Sequence, residues 1–257
     1  MISERPAQAC KLAFVAALAA AGLAGLASPA WAGPENLREN LFGDRPMAPG
    51  RNTSPPVARY VSQEGDVFVL DRSQNRPLLK FQDSPEVWAL KPQPAPRGDI
   101  IYKNDLGEPV LRATRLGGLT LFTDERPGGT AAALAGGGPA LRLPALGPQA
   151  LLERLAQASA RATRAARRLI PFEADASPAS SALVADAALV ASEAVIRLSK
   201  KPGGLSLINR FSKVSLVEGH KPGATLHQGV MRITITPDDG LAGRPSSDRI
   251  MAAAGSR

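Results

Sequence analysis

The residues of this chain with chemistry to offer are a set of carboxylates, a pair of histidines and a tryptophan among arginines. Asp71, Asp83, Glu86, Asp99, Asp105 and Glu108 gather in one stretch of short apolar runs. Two carboxylates held about 5 to 10 Å apart act as acid and base on a glycosidic bond, so this stretch holds the raw material of a glycan hydrolase. Asp and Glu beside Asn, Gly and Pro also build turns, and that reading takes precedence, so no catalytic residue is assigned. His220 and His227 flank a predicted turn near Glu218 and are the only histidines. Across a hairpin they would offer a metal two nitrogens and a carboxylate. Two imidazoles fall short of a metal site, and neither a metal nor a cofactor is expected. Trp88, Arg97, Asp99, Tyr102, Arg112 and Arg115 are the candidate binding residues. An exposed indole flanked by guanidinium groups suits a sugar or an anionic polymer, through stacking and bidentate contacts. The competing assignment for Trp88 is the largest core residue of an aromatic-poor chain.

These residues need a scaffold. The densest structural signal is 96–129, PRGDIIYKNDLGEPVLRATRLGGLTLFTDERPGG, where β-type runs at 99–103, 110–115 and 119–123 are separated by Asn104-Asp105-Leu106-Gly107 and Gly117-Gly118. Asn, Asp and Gly supply turn conformations that β-branched residues resist, and paired glycines between apolar runs mark a hairpin. A three-stranded meander is predicted. Upstream, 67–70 and 78–81 form a hairpin around a polar loop, 84–90 adds a strand, and the proline-rich 91–96 reads as a polyproline strut. The region 58–124 is therefore expected to be an antiparallel β roll or small open barrel.

The Gly/Pro/Ala-rich 125–148 reads as a loop. Apolar residues then recur at helical spacing over 149–169 and 179–200, with Pro171 and Gly203-Gly204 as stops. The arginine face of the first helix is read as solvated. Runs 211–217 and 229–236 read as strands, the second alternating with period two, and are expected to pair as a C-terminal β-hairpin. The region 149–236 is expected to pack on the β region, with 237–257 a loose tail. The fold class is α+β.

Residues 1–32 hold Arg5 and Lys11, a short apolar run and an Ala30-Trp31-Ala32 ending. That is the pattern of a secretory signal cleaved after Ala32, since the run is shorter than the roughly 20 residues of a membrane span. A proline-rich leader, 33–57, follows. Cys10, the single cysteine, lies within the signal, so the exported chain has no thiol nucleophile and no disulfide. Loss of 1–32 leaves 29 basic and 22 acidic residues, a net charge of +7 against +8 for the whole chain. Such a balance favours anionic partners. The periplasm is the expected compartment, which disfavours nucleic acid.

Phosphate-cradling loops, nucleophile elbows and His-Glu-x-x-His pairs are absent from the sequence. The runs Phe68-Val69-Leu70-Asp71-Arg72-Ser73, Ser84-Pro85-Glu86-Val87-Trp88, Pro96-Arg97-Gly98-Asp99 and Thr114-Arg115-Leu116-Gly117-Gly118-Leu119-Thr120 resemble an uncharacterised family of exported alphaproteobacterial proteins, a domain of unknown function. Gly243-Arg244-Pro245-Ser246-Ser247 extends the resemblance. It implies an envelope address and no activity. The expectation is a non-enzymatic envelope protein that binds peptidoglycan, anionic lipid or a protein partner, with a carboxylate-dependent hydrolase of envelope glycans as the alternative.

Overall fold

The alternating strands of the N-terminal half wind into a barrel. The structure, a computed structural model, describes residues 55–256; the signal and most of the leader lie outside the described residues. Nine strands follow one another as β1 (Val57–Ser62), β2 (Val67–Asp71), β3 (Leu78–Phe81), β4 (Val87–Ala89), β5 (Lys91–Pro94), β6 (Ile100–Lys103), β7 (Pro109–Ala113), β8 (Leu119–Leu121) and β9 (Thr130–Gly137). All pairings are antiparallel, in the order β4-β3-β2-β1-β9-β8-β7-β6-β5. The two ends of that order, β4 and β5, are neighbours in the chain, separated by Leu90 alone. Covalent continuity across Leu90 thus completes the ring, and counting β4 and β5 as one bent strand leaves eight around it.

The reading of 91–96 as a polyproline strut is corrected: 91–94 pair with β6. Pro92 and Pro94 alternate, so both missing donors fall on one side of the strand and the other side remains free to pair. The reading of 125–148 as a loop is corrected too, because 130–137 form β9 and join β8 to β1. Alanine and glycine mask this strand in the sequence, since they carry no β signal of their own.

Side chains of one parity fill the barrel. Register partners Tyr60–Phe68, Phe68–Phe81, Leu70–Leu79, Leu79–Trp88, Tyr102–Leu111 and Leu111–Leu121 meet across the strands. Phe68, Leu70, Leu79, Leu90, Leu111 and Leu121 are buried, each contributing roughly 1.5–3 kcal/mol on leaving water. Aromatic rings run through this core from Tyr60 to Phe68 (5.6 Å), Phe81 (5.8 Å) and Trp88 (6.1 Å).

The second half is a layer of helices on a small sheet, with α1 (Pro148–Ala166), β10 (Phe172–Asp175), α2 (Ser181–Lys200), α3 (Gly204–Ile208), β11 (Lys213–Glu218), β12 (Gly223–His227), β13 (Val230–Ile235) and α4 (Ser247–Gly255). Both helices expected from spacing are present. The first stops at Ala166, because Arg167 takes a left-handed conformation (φ 55°) as its C-cap. Part of its arginine face is structural rather than solvated: Arg161 pairs with Glu193 at 2.8 Å, and Arg168 donates to the Ile208 carbonyl at 2.7 Å.

A C-terminal hairpin exists, but between other partners than expected. The sheet order is β10-β11-β13-β12; β11 and β13, the two runs expected to pair as a hairpin, lie parallel. The hairpin is β12–β13, turning through Gln228 (φ 47°) and Gly229 (φ 76°), the two left-handed residues of a type I′ turn. Period-two alternation reports a buried face and carries no information about strand direction.

The loose tail is also corrected. Ser246 caps α4 by accepting from the Arg249 N–H at 3.1 Å, and Ile250, Met251, Ala253 and Ala254 are buried. Just before it, Gly243 is packed so closely that a Cβ would stand 1.9 Å from the Thr236 carbonyl oxygen.

Barrel and helical layer are joined by a buried ionic seam. Arg244, 4% exposed, donates through Nε to Asp186 of α2 and through Nη2 to the Val87 carbonyl at 2.8 Å. Its Nη1 lies 3.8 Å from Oε1 of Glu86, itself 2% exposed. Ser247 closes the set, donating its N–H to Glu86 Oε1 at 2.9 Å and its hydroxyl to Oε2 at 2.5 Å. Removing one member of such a set strands the others as buried charges, at about 3–5 kcal/mol. Arg244→Leu is therefore expected to lower the unfolding free energy by about that amount in a urea titration. Adding Glu86→Gln should recover part of the loss; no recovery would mean that Arg244 acts by packing alone.

Candidate functional site

Phe68, Leu70, Leu79, Leu111 and Leu121 are buried in the barrel, and two clefts lie along the seam. The β6–β7 turn stands there as a wall between two clefts, with Asn104 and Leu106 lining both. The turn is rigid by construction. Asn104 Oδ1 accepts the N–H groups of Leu106 (3.1 Å) and Glu108 (2.9 Å), and Asn104 Nδ2 donates to Glu108 at 2.8 Å. Asp105 accepts from the N–H (2.9 Å) and hydroxyl (2.6 Å) of Ser246, which ties the turn to the start of α4.

The first cleft, of about 930 Å³, opens at the end of the barrel carrying the β3–β4, β6–β7 and β8–β9 connections, against α2, α3 and α4. Phe81, Trp88 and Phe122 give it an aromatic lining; Glu108 and Asp124 stand on the barrel side, Arg197 and Lys201 on the helical side. Asp248 lies among them, paired with Arg197 at 2.8 Å. Burial pushes the Asp248 carboxyl above its ordinary range despite Arg197, and Asp124 and Glu108 push it further. The second cleft, of about 970 Å³, runs along β5 and β6 to the loop before β12, with Lys91, Lys103, Lys221 and Arg249 on its walls.

The candidate residues from the sequence divide between places. Trp88 is half-buried, meets Phe81 edge-to-face at 78°, and lines the first cleft. Tyr102, 3% exposed, faces Leu111 inside the barrel and belongs to the core. Arg97, Asp99, Arg112 and Arg115 do come together, but at the opposite end of the barrel from Trp88, where the β5–β6 and β7–β8 connections lie. There Arg112 donates to Asp99 Oδ2 through Nε (2.8 Å) and Nη2 (2.5 Å). Those bonds, with the Arg115 N–H and the charge of Arg97, hold the Asp99 carboxyl below its ordinary range. An indole flanked by those arginines is thus not what the fold builds.

The other carboxylates have structural work. Asp71 is buried, and burial alone would raise its carboxyl. Hydrogen bonds from Ser73 and from the Leu141 N–H at 2.8 Å outweigh that and hold it low, which pins the segment entering α1 to the barrel. Glu218 accepts from the Ser180 hydroxyl (2.6 Å) and the Ser177 N–H (2.7 Å) ahead of α2. His220 and His227 stand beyond and at the two ends of β12 rather than face to face, and no cluster suited to a metal ion occurs among the described residues. Sequence reasoning missed Arg197, Lys201 and Asp248, because helix positions give no sign of which cleft they border. The one available signal was the Gly243–Ser247 run, whose Arg244 and Ser247 meet Glu86 of the Ser84–Trp88 run.

Burial raises the Glu86 carboxyl above its ordinary 4.5, with Arg244 and Ser247 offsetting part of the effect. A carboxyl raised in the folded state favours folding while protonated. Its contribution is complete below the unfolded value and is lost as pH rises through the folded one. The stability of the native chain minus that of Glu86→Gln is expected to fall as pH increases above about 4.5. Urea titrations across that range check it, and a difference that rises with pH would overturn the assignment.

No curated protein and no solved structure matches this chain, so its own geometry carries the functional argument. The sequence profile of a family described as a domain of unknown function, DUF4908, matches residues 36–254. That span runs through the barrel, the seam and α4, and the chain belongs to the DUF4908 family.

Proposed function

We propose that this chain is an exported, non-enzymatic protein of the bacterial envelope that binds wall glycan in the first cleft. The observation that carries the reading is Trp88, an incompletely buried indole in a cleft that also presents carboxylates on one wall and cations on the other. Sugar rings stack their C–H faces on indole, carboxylates accept from sugar hydroxyls, and Arg197 and Lys201 suit the carboxylates of acidic sugars and stem peptides. The basic, single-cysteine sequence with an N-terminal export pattern supports an envelope address.

Trp31 and Trp88 are the only tryptophans, so a full-length Trp31→Phe chain reports on Trp88 alone. Soluble peptidoglycan fragments are expected to shift its fluorescence saturably, and Lys201→Glu to weaken that binding about tenfold. Absence of any saturable shift would sink the reading.

A second reading, hydrolysis of envelope glycans, is favoured by Asp248. Burial raises its carboxyl, Asp124 and Glu108 add to the shift, and all three line the same cleft, where glycan hydrolysis calls for a raised acid with a second carboxylate. In that case purified protein releases reducing ends from sacculi, and Asp248→Asn is expected to reduce the rate at least a hundredfold, about the minimum for loss of a general acid. No release by the native chain would leave the binding reading alone.

A further inference from the structure

The second cleft carries charge that the fold does not use. Arg76, Lys91, Lys103, His220, Lys221 and Arg249 line it, against the acids Asp105 and Asp239. Asp105 is already committed to Ser246 and Arg249. Among the described residues Lys91, Lys103 and Lys221 enter no ion pair. Lys91 and Lys103 are moreover register partners on β5 and β6. Like charges directly opposite each other across an antiparallel pair oppose folding, so nothing in the stability of the barrel asks for two lysines there.

We propose that this cleft binds a phosphorylated oligoanion, a ligand with at least two adjacent negative charges, with Lys91 and Lys103 as its central contacts. Ammonium groups act as point charges on phosphate oxygens, and Lys221 lines the opposite wall. A ligand bridging the strand pair turns the repulsion between Lys91 and Lys103 into shared attraction. The cleft is separate from the one that holds Trp88, with the Asn104–Glu108 turn between them, so this inference stands or falls independently of the glycan reading.

The test titrates the full chain calorimetrically with inorganic pyrophosphate, and separately measures co-sedimentation with phosphatidylcholine vesicles with and without phosphatidylglycerol. The variants are Lys103→Gln and, as a control away from the cleft, Lys200→Gln. Saturable pyrophosphate binding that weakens about tenfold in Lys103→Gln and is unchanged in Lys200→Gln identifies a soluble phosphorylated ligand. Co-sedimentation only with the anionic vesicles, with the same dependence on Lys103, identifies a lipid headgroup. Binding reduced equally by both variants would show general electrostatics, and binding of neither probe would show no site; either result overturns the proposal. Stability supplies the second readout. Lys103→Gln is expected to raise the melting temperature of the ligand-free chain while weakening anion binding, because it removes the repulsion. A lowered melting temperature would give Lys103 a structural role and overturn the inference.

Discussion

A single buried guanidinium decides how the two halves of this protein meet. Arg244 reaches a carboxylate on α2, the backbone carbonyl of a barrel strand and the neighbourhood of a second carboxylate. Withdrawing such charges from water is costly, and the attraction between them repays the cost only where every donor and acceptor is engaged. The hydroxyl and N–H of Ser247 complete the shell around Glu86, and no buried side-chain nitrogen or oxygen among the described residues lacks a partner. Apolar contact alone would tolerate a sliding or tilted interface, whereas this directional set accepts one placement. Both clefts inherit their shape from that placement, since each has one wall from the barrel and one from the C-terminal layer.

Closure of the barrel follows from an equally local constraint. Prolines at alternate positions of β5 deny it a partner on one side, so the ladder with β3 ends where β5 begins and the strand turns to β6 instead. The result is a ring with its interior occupied by aromatic and leucine side chains. The two clefts lie outside that ring, among loops and the helix ends that face them. Proteins commonly place recognition on connections held by a rigid scaffold, and the Asn104-locked turn between two clefts of different chemistry is a connection so held.

The strands of 58–124 were legible because apolar alternation and Asn/Gly turns act within a few residues. Both long helices were legible for the same reason, Leu155, Ala158 and Ala162 recurring on one face of α1 and Leu183, Val184 and Ala187 on that of α2. What escaped was held by distant partners. The strand β9 exists because β1 and β8 flank it, and α4 because its apolar face has a core to join. Likewise Tyr102 and Arg112 look alike as candidate contacts in the sequence, yet the register sends one into the barrel and the other out to Asp99.

By itself, then, the chain specified its class, its β-rich beginning, its helical middle and a cationic balance, since each rests on local periodicity or on composition. Pairing direction, ring closure, the meeting of Glu86 with Arg244 and the lining of the clefts were decided only in three dimensions. Each of these depends on which surfaces remain to be buried once the local elements have formed, and that sum is taken over the whole fold.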